Sequence, residues 1–471
     1  MKPEISIDVA IIGAGSAGMY AMREVRAAGR SFVLIDRGPL GTTCARVGCM
    51  PSKVALHTAA LWAARKEFAA IGGAGVKSLT LDTAQAWAAL RKMRDQFASR
   101  PAKAARALAG EFLLEGPARF LEPGVLEVIL GDESQIVRAG SVVIATGSSP
   151  VVPKWLDAVA ERTVTTDQLF DLPALPKRVG ILGLGAIGLE MGLALARLGV
   201  EVTGADVANA VAGIVDPQIG ERAIACFGKE MTLWLGAAAT VAPAVDGVLM
   251  RSGEREAKVD LLLAALGRRP NVDSLNLAAA GVAVDAHGLP EFDPATLQVG
   301  NLPIFIAGDA NGDRPLMHEA ADQGVIAGYN AARPQATRFG RKVAIGIAFS
   351  DPDVTSVGAR FDQLDPQAIV IGSAGGDSNG RAKILGSEDS LLRIYADARD
   401  GKLLGAAMVA TGGEHLAHLL AWAIQRGETA QSLLQLPFYH PVVEEMLQTA
   451  LKEIAQKFPD PDGLPAGLFK A

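Results

Sequence analysis

Two of the chain's three cysteines, Cys44 and Cys49, lie in the run GTTCARVGCMPSK at residues 41–53. A disulfide between residues so close in sequence would stabilise the fold little, because the loop-closure entropy that it removes grows with loop length. A regular α-helix cannot carry such a bridge, since residues five apart are separated by about 7.5 Å of rise, beyond the usual disulfide Cα separations. We therefore predict a distorted turn here, with Gly48 supplying the backbone freedom. A short, strained bridge is easily reduced, which is typical of a catalytic disulfide.

A glycine-rich fingerprint occurs twice, each time between a predicted apolar strand and a predicted helix. The glycines and their neighbours are Gly13, Gly15, Ser16 and Gly18 in the first copy, and Gly183, Gly185, Ile187 and Gly188 in the second. Such glycines allow close backbone approach, and the free N–H groups of the helix N-terminus receive a pyrophosphate. The two copies therefore predict two Rossmann-type βαβ units that bind two dinucleotides.

Each fingerprint is followed by a strand that ends in an acid, Asp36 in the first copy and Asp206 in the second. We expect each carboxylate to accept hydrogen bonds from ribose hydroxyls. At Asp206 a 2′-phosphate would be repelled, and the nearest upstream arginine is Arg197. The second site is therefore predicted to take NAD rather than NADP.

Composition bears on the class of protein. A chain of 471 residues with 49% hydrophobic residues is predicted to be globular, with about two to four domains. Its net charge of −6 is spread along the sequence, so no basic tract indicates nucleic acid or a membrane surface, and no apolar stretch reaches the length of a membrane span. No metal site is expected either, because His415 and His418 have no third ligand near them in sequence. Three cysteines are too few for a disulfide scaffold, which favours a catalytic pair in a reducing compartment, by default the cytoplasm.

The motifs, in their order along the chain, resemble those of the class I FAD-dependent pyridine nucleotide-disulfide oxidoreductases, and most closely those of the dihydrolipoamide dehydrogenases. Besides the two fingerprints, the resemblance rests on Cys44 to Cys49 followed by Pro51-Ser52-Lys53, on Ala145-Thr146-Gly147, Glu190, Gly267 to Asn271, Gly308-Asp309, Ser350 to Val354, and His440-Pro441. It covers nearly the whole chain.

The resemblance implies an α/β fold with two Rossmann-like dinucleotide-binding domains, for FAD and NAD, and an α+β C-terminal dimerisation domain. The implied bounds are 1–150 for the first part of the FAD domain with the redox disulfide, 151–272 for the NAD domain, 273–337 for the second part of the FAD domain, and 338–471 for the dimerisation domain. It also implies a homodimer in which His440 of one subunit serves the disulfide of the partner subunit.

The resemblance further implies a role for residues in each motif. Cys44 corresponds to the thiol that exchanges with the substrate, and Cys49 to the thiolate beside the flavin. Lys53 corresponds to a residue that approaches the flavin and pairs with Glu190 near the nicotinamide, and Asp309 to one that binds the ribityl chain of FAD. The other implied cofactor-binding positions are Arg37, Thr43, Ala145, Thr146, Gly147, Gly267 and Gly308.

A base is also needed, because thiol–disulfide exchange proceeds through the thiolate. Among the six histidines, His440 has the suitable context, since Pro441 favours an extended His440 and lets a helix start immediately afterwards. The family pattern implies that Glu445 orients the imidazole and stabilises its charged form. Glu444 is expected only to complement the helix dipole.

Seven residues depart from the usual family pattern, and the last three, Val442, Val443 and Glu444, stand after the histidine where the pattern has Thr-Leu-Ser. Thr42 stands for a glycine and Arg46 for an asparagine, while Phe438 and Tyr439 replace small and polar residues. Arg46 places a positive charge near the disulfide, which would favour a thiolate, although it can equally point to solvent. The changes just before His440 lie where the disulfide substrate should enter, so they leave the substrate open but not the reaction type.

We therefore expect a flavoprotein that moves electrons between a dihydrolipoyl-type dithiol and NAD through the Cys44–Cys49 disulfide and FAD. Two alternatives stay open. One is an NADH-dependent reductase of another disulfide, or a quinone-type diaphorase; the other is a flavoprotein subunit recruited to a 2-oxo acid dehydrogenase complex, with a lipoylated protein supplied in trans. Asp206 disfavours a glutathione reductase, the lack of a C-terminal cysteine pair disfavours a mercuric reductase, and Cys44 disfavours a soluble transhydrogenase.

Overall fold

A computed structural model of the chain describes residues 4–459 and 463–470. The chain divides into two compact units, each assembled from separate stretches of sequence. The first unit comprises residues 1–54, 88–151 and 267–341, and the second comprises residues 55–87, 152–266 and 342–471. The finer four-part division stays a prediction.

The helices are, in chain order, α1 (Ser16–Ala27), α2 (Thr43–Arg46), α3 (Cys49–Ala63), α4 (Arg65–Ala70), α5 (Thr83–Ala109), α6 (Thr166–Leu169), α7 (Ala186–Arg197), α8 (Pro217–Phe227), α9 (Met317–Ala331), α10 (Gly380–Ile384), α11 (Gly413–Arg426), α12 (Ala430–Leu434) and α13 (Glu445–Ala455).

Within the residues that the structure describes, the strands form five sheets. They are β1 (Ile5–Ile12), β2 (Phe32–Asp36), β3 (Leu113–Glu115), β4 (Ala118–Glu122), β5 (Val125–Leu130), β6 (Glu133–Ile144), β7 (Ser148–Pro150), β8 (Thr163–Val164), β9 (Arg178–Leu182), β10 (Glu201–Asp206), β11 (Thr232–Leu235), β12 (Ala239–Ala244), β13 (Gly247–Ser252), β14 (Arg255–Val259), β15 (Leu261–Ala264), β16 (Arg268–Pro270), β17 (Ile304–Ile306), β18 (Ile345–Ala348), β19 (Asp353–Gly358), β20 (Ile369–Gly375), β21 (Leu391–Asp397) and β22 (Leu403–Ala410).

The main sheet of the first unit has the order β3-β2-β1-β6-β5-β4, with β17 also paired to β6. Its β1, β2, β3 and β17 pairings are parallel, whereas β4, β5 and β6 form an antiparallel meander. Along β1, Val9 and Ile11 pack with α1 and α9, while Ala10 and Ile12 pack on the other face with the meander. Because successive side chains point to opposite faces, a strand covered on both sides is apolar without interruption, as β1 is over its buried half, from Val9 to Ile12.

Helices α1 and α9 cross at very short distance in the first unit. A β-carbon on Gly324 would lie 2.3 Å from the carbonyl oxygen of Ala17, and one on Gly328 would lie 2.4 Å from that of Ala21. Only glycine fits at these two positions of α9. The crossing therefore fixes the third segment of this unit, residues 267–341, which carries Gly308 and Asp309, against the first fingerprint helix.

The second unit contains a parallel sheet of order β11-β10-β9-β15-β8, an antiparallel meander β12-β13-β14, and a five-stranded antiparallel sheet β18-β19-β22-β21-β20. The parallel sheet carries the second fingerprint between β9 and α7. Helices α11, α12 and α13 cover the antiparallel sheet, and their buried apolar side chains share one core with it.

The redox segment is not one continuous helix. Helix α2 ends at Arg46 and α3 begins at Cys49, so the two cysteines lie on separate helices, as their spacing requires. The prediction that Gly48 supplies backbone freedom is wrong, because its φ is not in the left-handed region. A β-carbon there would lie 3.2 Å from the carbonyl oxygen of Thr43 and 3.4 Å from the Cα of Cys44. The constraint at Gly48 is therefore one of space, because a β-carbon would require these atoms to move by a few tenths of an ångström.

One further expectation on secondary structure was wrong. The helix expected immediately after Pro441 begins at Glu445, because the N–H of Val442 is bonded to the Glu445 side chain (3.2 Å) and the chain turns between them. The antiparallel meander and the parallel part of the main sheet share one long strand, β6. Its residues 133–138 pair antiparallel with β5, and its residues 137–144 pair parallel with β1.

Candidate active site

The first glycine loop holds strand and helix at contact distance. A β-carbon on Gly13 would lie 2.2 Å from the carbonyl oxygen of Ala145, and the φ of Gly13 is +111°. A β-carbon on Gly18 would lie 1.8 Å from the carbonyl oxygen of Gly13. The predicted Ala145 therefore lies directly against the fingerprint.

The second glycine loop repeats these contacts. A β-carbon on Gly183 would lie 2.4 Å from the carbonyl oxygen of Ala265, and the φ of Gly183 is +90°. One on Gly188 would lie 1.9 Å from the carbonyl oxygen of Gly183. Both fingerprints thus form the same tight turn from strand into helix.

The middle glycine of each loop, unlike the first and the last, does not face neighbouring backbone. In the described part of the chain, no protein atom lies within 4 Å of a β-carbon built on Gly15 or Gly185, which are the N-caps of α1 and α7. In each loop this space lies at the N-terminus of a helix of 12 residues, where the free N–H groups and the helix dipole favour a pyrophosphate. Ser16 begins α1, and Ile187 is 40% exposed on the first turn of α7. Both loops fit a dinucleotide.

The strand-end acids are fixed in the same way in both copies. Asp36 Oδ2 accepts the N–H of Ala14 at 2.6 Å, and Asp206 Oδ2 accepts that of Leu184 at 2.6 Å. Each Oδ1 accepts the N–H two residues further on, at 2.7 Å and 2.8 Å. A carboxylate has about four lone-pair sites, so both acids retain capacity for ribose hydroxyls, the role that stays a prediction.

Asp309 belongs to a polar network beside the first fingerprint unit. Ser148 Oγ donates to Asp309 Oδ2 at 2.6 Å, and Arg268 donates to Ser148 Oγ (2.8 Å) and to its carbonyl oxygen (2.7 Å). The Arg268 Nε lies 4.0 Å from the Asp309 carboxylate. Gly267 directly precedes Arg268, and Gly308 directly precedes Asp309, so the network lies at strand ends of the first unit.

One buried hydroxyl in this region fits a polar ligand. Thr146 Oγ1 is buried and has no hydrogen-bond partner among the residues that the structure describes. Its carbonyl oxygen accepts from the Asn271 side chain (3.1 Å), and Gly147, whose φ is +69°, receives the N–H of Asn271 at its own carbonyl (2.9 Å). An orphaned hydroxyl next to a dinucleotide loop is consistent with FAD, whose ribityl and phosphate groups supply such partners.

The two cysteines lie side by side as thiols. Their side chains hydrogen-bond to each other, and this bond is the main reason why the pKa of Cys44 is raised, with burial as the second cause. The positive charge of Lys53 acts in the opposite direction on the pKa of Cys44. Cys49 is exposed and Cys44 is half-buried.

The departures Thr42 and Arg46 lie on the same short helix. Thr42 has φ +53° and ψ 142°, an unusual conformation for a β-branched residue, and its hydroxyl caps α2 by accepting the N–H of Ala45 (3.2 Å). The Arg46 stem packs near Gly41, and its Nε is buried without a hydrogen-bond partner among the described residues. The cation whose charge opposes the rise in the pKa of Cys44 is Lys53.

Glu190 is buried in the second unit. It is 5% exposed, and its Oε1 accepts the N–H of Phe349 at 3.0 Å. The bond fixes the carboxylate of Glu190, on the fingerprint helix α7, against the backbone that directly precedes Ser350. Its pairing with Lys53 stays a prediction.

His440 and Glu445 form the predicted pair of base and acid. His440 Nδ1 lies 3.0 Å and 3.2 Å from the two carboxylate oxygens of Glu445. This hydrogen bond lowers the pKa of Glu445, and the N–H of Val442 contributes in the same direction. The His440 side chain is 77% exposed. With Nδ1 held by the carboxylate, Nε2 is the ring atom left to exchange protons with a substrate.

Residues 7–324 match the family described as pyridine nucleotide-disulphide oxidoreductase, and residues 345–451 match the dimerisation domain of that family. The chain belongs to this family. The predicted fold class, with Rossmann-like dinucleotide-binding domains and a C-terminal dimerisation domain, is thereby confirmed.

Several pyridine nucleotide-disulphide oxidoreductases are similar over nearly the full length. Dihydrolipoyl dehydrogenase 3 of Pseudomonas putida is 29% identical over 468 residues, covering 95% of this chain and 98% of that protein. Dihydrolipoyl dehydrogenase of Geobacillus stearothermophilus is 28% identical over 470 residues, covering 95% and 96%.

Solved structures show the same fold at lower identity. LpdA of Mycobacterium tuberculosis has a TM-score of 0.83 at 23% identity, covering 95% of this chain and 99% of that one. The Cu(II) complex of the HOCl-induced flavoprotein disulfide reductase RclA of Escherichia coli has a TM-score of 0.82 at 22% identity, with the same coverage.

Pyridine nucleotide-disulphide oxidoreductases of this kind use FAD and NAD(H), which confirms the predicted cofactors. The dimerisation domain supports a homodimer, as in the family. Within the described residues, every helix is too short or too polar to cross a lipid bilayer. In the same part of the chain, no group of three or more His, Cys, Asp or Glu side chains could hold a metal ion.

Sequence reasoning did not identify several contacts in this oxidoreductase. It missed the Arg268–Ser148–Asp309 network, the bond from Phe349 to Glu190, and the bond from Asn379 to Val442 beside the base. Arg268 belongs to the motif from Gly267 to Asn271, but nothing in the spacing of that motif indicated a hydrogen bond to Ser148. The remaining implied positions lie where the motifs put them: Arg37 is exposed just after β2, and Thr43 is the first residue of α2.

Proposed function

We propose that this protein oxidises a dihydrolipoyl-type dithiol with NAD⁺, forming the disulfide, NADH and one proton. The observation that carries the proposal is the pair of adjacent thiols, Cys44 and Cys49, close enough to hydrogen-bond and influenced by the charge of Lys53. The His440–Glu445 pair supplies the base that thiol exchange requires. The full-length similarity to dihydrolipoyl dehydrogenases favours this substrate class.

Exchange begins with a proton transfer to His440. The imidazole takes the proton of one substrate thiol, and the resulting thiolate attacks the sulfur of Cys44 in the oxidised pair. The Cys44–Cys49 bond breaks and Cys49 leaves as a thiolate. The second substrate thiol then attacks the substrate sulfur of the mixed disulfide, and Cys44 departs with the proton of that thiol.

The pair must then be reoxidised. Re-formation of the Cys44–Cys49 disulfide releases two electrons and one proton, which is what reduction of NAD⁺ to NADH takes up, while His440 loses its proton to water. FAD, when bound, supplies the two-electron carrier between thiols and NAD. The chain's own contribution is to bind the two dinucleotides, to hold the thiols together and to present the imidazole. In the proposed homodimer, His440 serves the disulfide of the partner subunit.

Replacing Cys44 tests the proposal directly. We expect Cys44→Ser to lower dihydrolipoamide oxidation by about 1000-fold or more, because no disulfide can form. FAD should stay bound, as measured by flavin absorbance, and NADH oxidation with ferricyanide should persist. Cys226→Ser is the matched control, since Cys226 is a buried residue of α8 in the second unit. Normal dithiol turnover by Cys44→Ser would refute the exchange role.

A second candidate function is the NADH-dependent reduction of another disulfide or of a quinone. One observation favours it: Tyr439, next to the base, is 80% exposed and presents an aromatic ring where the resemblance expects a small residue. Steady-state assay of lipoamide, glutathione disulfide and quinones decides between the candidates. A kcat/KM for another acceptor that exceeds that for lipoamide, and that falls in Tyr439→Ala, would establish the second candidate.

Recruitment to a 2-oxo acid dehydrogenase complex is compatible with either activity. The chain would act there as the flavoprotein subunit, and a lipoylated protein would be its dithiol substrate. Copurification with a lipoylated acyltransferase at cellular concentration is the supporting result. Failure of the purified proteins to comigrate in gel filtration would exclude a stable complex.

A further inference from the structure

The loop that carries His440 is held by apolar contacts on both sides of the histidine. Phe438 and Val443 pack against the core of the antiparallel sheet and its helices. Between them, Tyr439 and His440 are largely exposed. Packing at two points fixes where the loop lies but leaves the orientation of the two peptide groups on either side of Val442 to hydrogen bonds.

That orientation matters for the base. The Glu445 carboxylate accepts from His440 Nδ1 and also from the N–H of Val442 at 3.2 Å. The imidazole and the backbone of Val442 therefore share one acceptor. If Val442 turned, the carboxylate would lose a donor and its position relative to the imidazole would change.

Asn379 holds Val442 from the other end. Its Nδ2 donates to the Val442 carbonyl oxygen at 3.1 Å, and its Oδ1 accepts the N–H of Ala382 at 2.8 Å, which caps α10. The two bonds require opposite ends of the amide, so they settle which atom is oxygen and which is nitrogen. Asn379 is 6% exposed, and a buried amide with both ends bonded has little freedom to rotate.

We propose that Asn379 is a positioning residue for the catalytic base: it holds the Val442 carbonyl and thereby the backbone of Val442, whose N–H bonds the Glu445 carboxylate that aims the His440 imidazole. This inference rests on the proposed function, in which His440 moves protons of thiols. Asn379 lies 61 positions before His440 in the numbered sequence, on the turn that leads into α10. It touches neither substrate nor cofactor in this scheme.

The substitution Asn379→Ser separates capping from positioning. Serine is as good an N-cap as asparagine, but its side chain is too short to reach the Val442 carbonyl as well. We expect kcat for dithiol oxidation to fall about 10-fold to 100-fold, the size of effect of misplacing a catalytic group, and its pH profile to change. NADH oxidation with ferricyanide, which does not use the base, should stay within about twofold.

Two companions sharpen the test. Asn379→Asp keeps the shape and the cap but replaces the donor by an acceptor, so we expect a larger loss than in Asn379→Ser. Thr429→Ala is the control for lost capping, because Thr429 caps α12, which has five residues like α10, in the same sheet-and-helix layer. It should leave both activities and the pH profile unchanged.

The ring nitrogens provide a readout that needs no substrate. In protein labelled with ¹⁵N in histidine, the Nδ1 shift of His440 reports its hydrogen bond to Glu445, and we expect it to move in Asn379→Ser but not in Thr429→Ala. An unchanged shift together with an unchanged pH profile would overturn the proposal, as would an equal loss in both activities. If the wild-type protein turned over no dithiol or disulfide, the proposed function would fail, while the Nδ1 shift would still decide the role of Asn379.

Discussion

The two dinucleotide loops of this chain can be compared position by position. In both, the strand-end acid accepts a loop N–H at 2.6 Å, Asp36 from Ala14 and Asp206 from Leu184. In both, the first glycine lies against a carbonyl oxygen of a neighbouring chain segment, and the last lies against the carbonyl of the first. The shared fingerprint thus produces matching contacts, whose distances differ by 0.2 Å or less between the two loops.

The segment after the acid differs between the two loops. After Asp36 the chain enters α2 and α3, which carry Cys44 and Cys49. After Asp206 it enters α8, whose N-cap, Asp216, is buried. The first loop therefore leads to the redox pair, whereas the second leads to a structural anchor.

The anchor ties the second fingerprint unit to the antiparallel sheet. Asp216 accepts from Arg393 at 2.7 Å and from the Tyr395 hydroxyl at 2.6 Å, both on β21. Burial, and then the bond to Asp216, raise the pKa of Tyr395. The fingerprint therefore determines the local turn, while the segment after the acid determines which part of the chain the loop is connected to.

The largest expected effect comes from filling the first glycine of each loop. Gly13→Ala should yield protein without bound FAD, because the β-carbon would meet the Ala145 carbonyl at 2.2 Å. Gly183→Ala should retain FAD but lose flavin reduction by NADH, because its clash at 2.4 Å is confined to the second loop. Flavin absorbance and stopped-flow reduction by NADH measure the two outcomes.

The controls for that pair are Gly29→Ala and Gly199→Ala. Gly29 and Gly199 also have positive φ, +68° and +97°, but a β-carbon on either meets no described atom within 4 Å. Each should cost only the strain of the backbone, about 1–3 kcal/mol. Loss of FAD in Gly29→Ala as complete as in Gly13→Ala would show that close approach is not the cause.

A smaller effect, on the free energy of unfolding, should distinguish a glycine that faces backbone at a helix crossing from one that faces a flexible side chain. Gly324→Ala should lower the free energy of unfolding by about 3 kcal/mol, because the obstacle at 2.3 Å is the backbone of Ala17. Gly192→Ala should cost less than about 1 kcal/mol, because the atom at 2.8 Å is the sulfur of the flexible Met231 side chain. Urea denaturation of the two variants measures the difference, and equal losses would contradict the comparison.

The buried acids of the two units should respond to pH with opposite signs. Burial alone would raise the pKa of Glu319 in the first unit, but the bonds from Arg341 and Arg314 outweigh it and the pKa is lowered. The stabilisation by Glu319 is therefore present above its unfolded pKa and lost as pH falls through the folded value. Burial raises the pKa of Asp353 in the second unit to about 6, so its stabilisation is full below its unfolded pKa and lost as pH rises through about 6.

Asp353→Asn tests that sign. Asparagine can still cap α11 by accepting the N–H of Glu414, as Asp353 does at 3.1 Å. We expect the free energy of unfolding above pH 6 to rise by about 2 kcal/mol, somewhat less than a full two-unit shift corresponds to, with no gain at pH 4. Urea midpoints at pH 4, 5, 6 and 7.5 check this. A gain that is the same at every pH would mean that ionisation of Asp353 is not involved.

The smallest effect concerns the choice of nucleotide. Asp206→Ala should raise KM for NADH about tenfold more than KM for NADPH, the equivalent of about 1.4 kcal/mol, because the carboxylate would no longer bind the ribose or repel a 2′-phosphate. Asp36→Ala should weaken FAD and leave the ratio of NADH to NADPH unchanged. An equal rise for both nucleotides in Asp206→Ala would contradict ribose recognition.

Much of the candidate site could be read from local patterns. The glycines, the strand-end acids and the cysteine pair are close in sequence to the elements that position them, so spacing alone predicts their geometry. The separation of Cys44 and Cys49 onto two helices follows from the rise of a helix. The role of Gly48 was misjudged, because a need for space depends on neighbouring backbone that spacing does not show.

Contacts between distant segments could not be predicted in this way. Asn379 lies far from Val442 in sequence, and an asparagine before a helix indicates a cap but not what its amide nitrogen reaches. The start of α13 was placed too early because the Glu445 side chain competes for the N–H of Val442. In both cases a side chain replaced a backbone partner, and the choice was made by tertiary packing.

The sequence by itself determined the tight turns, the acids at the strand ends that bond to them, and the separation of Cys44 and Cys49 onto two helices, because each depends on residues of one short stretch of chain. The tertiary structure decided which carboxylate meets which cation, which amide holds the loop of the base, and which glycines are needed for space. These depend on surfaces that come together only when the sheets are covered, where burial makes an unpaired polar group costly.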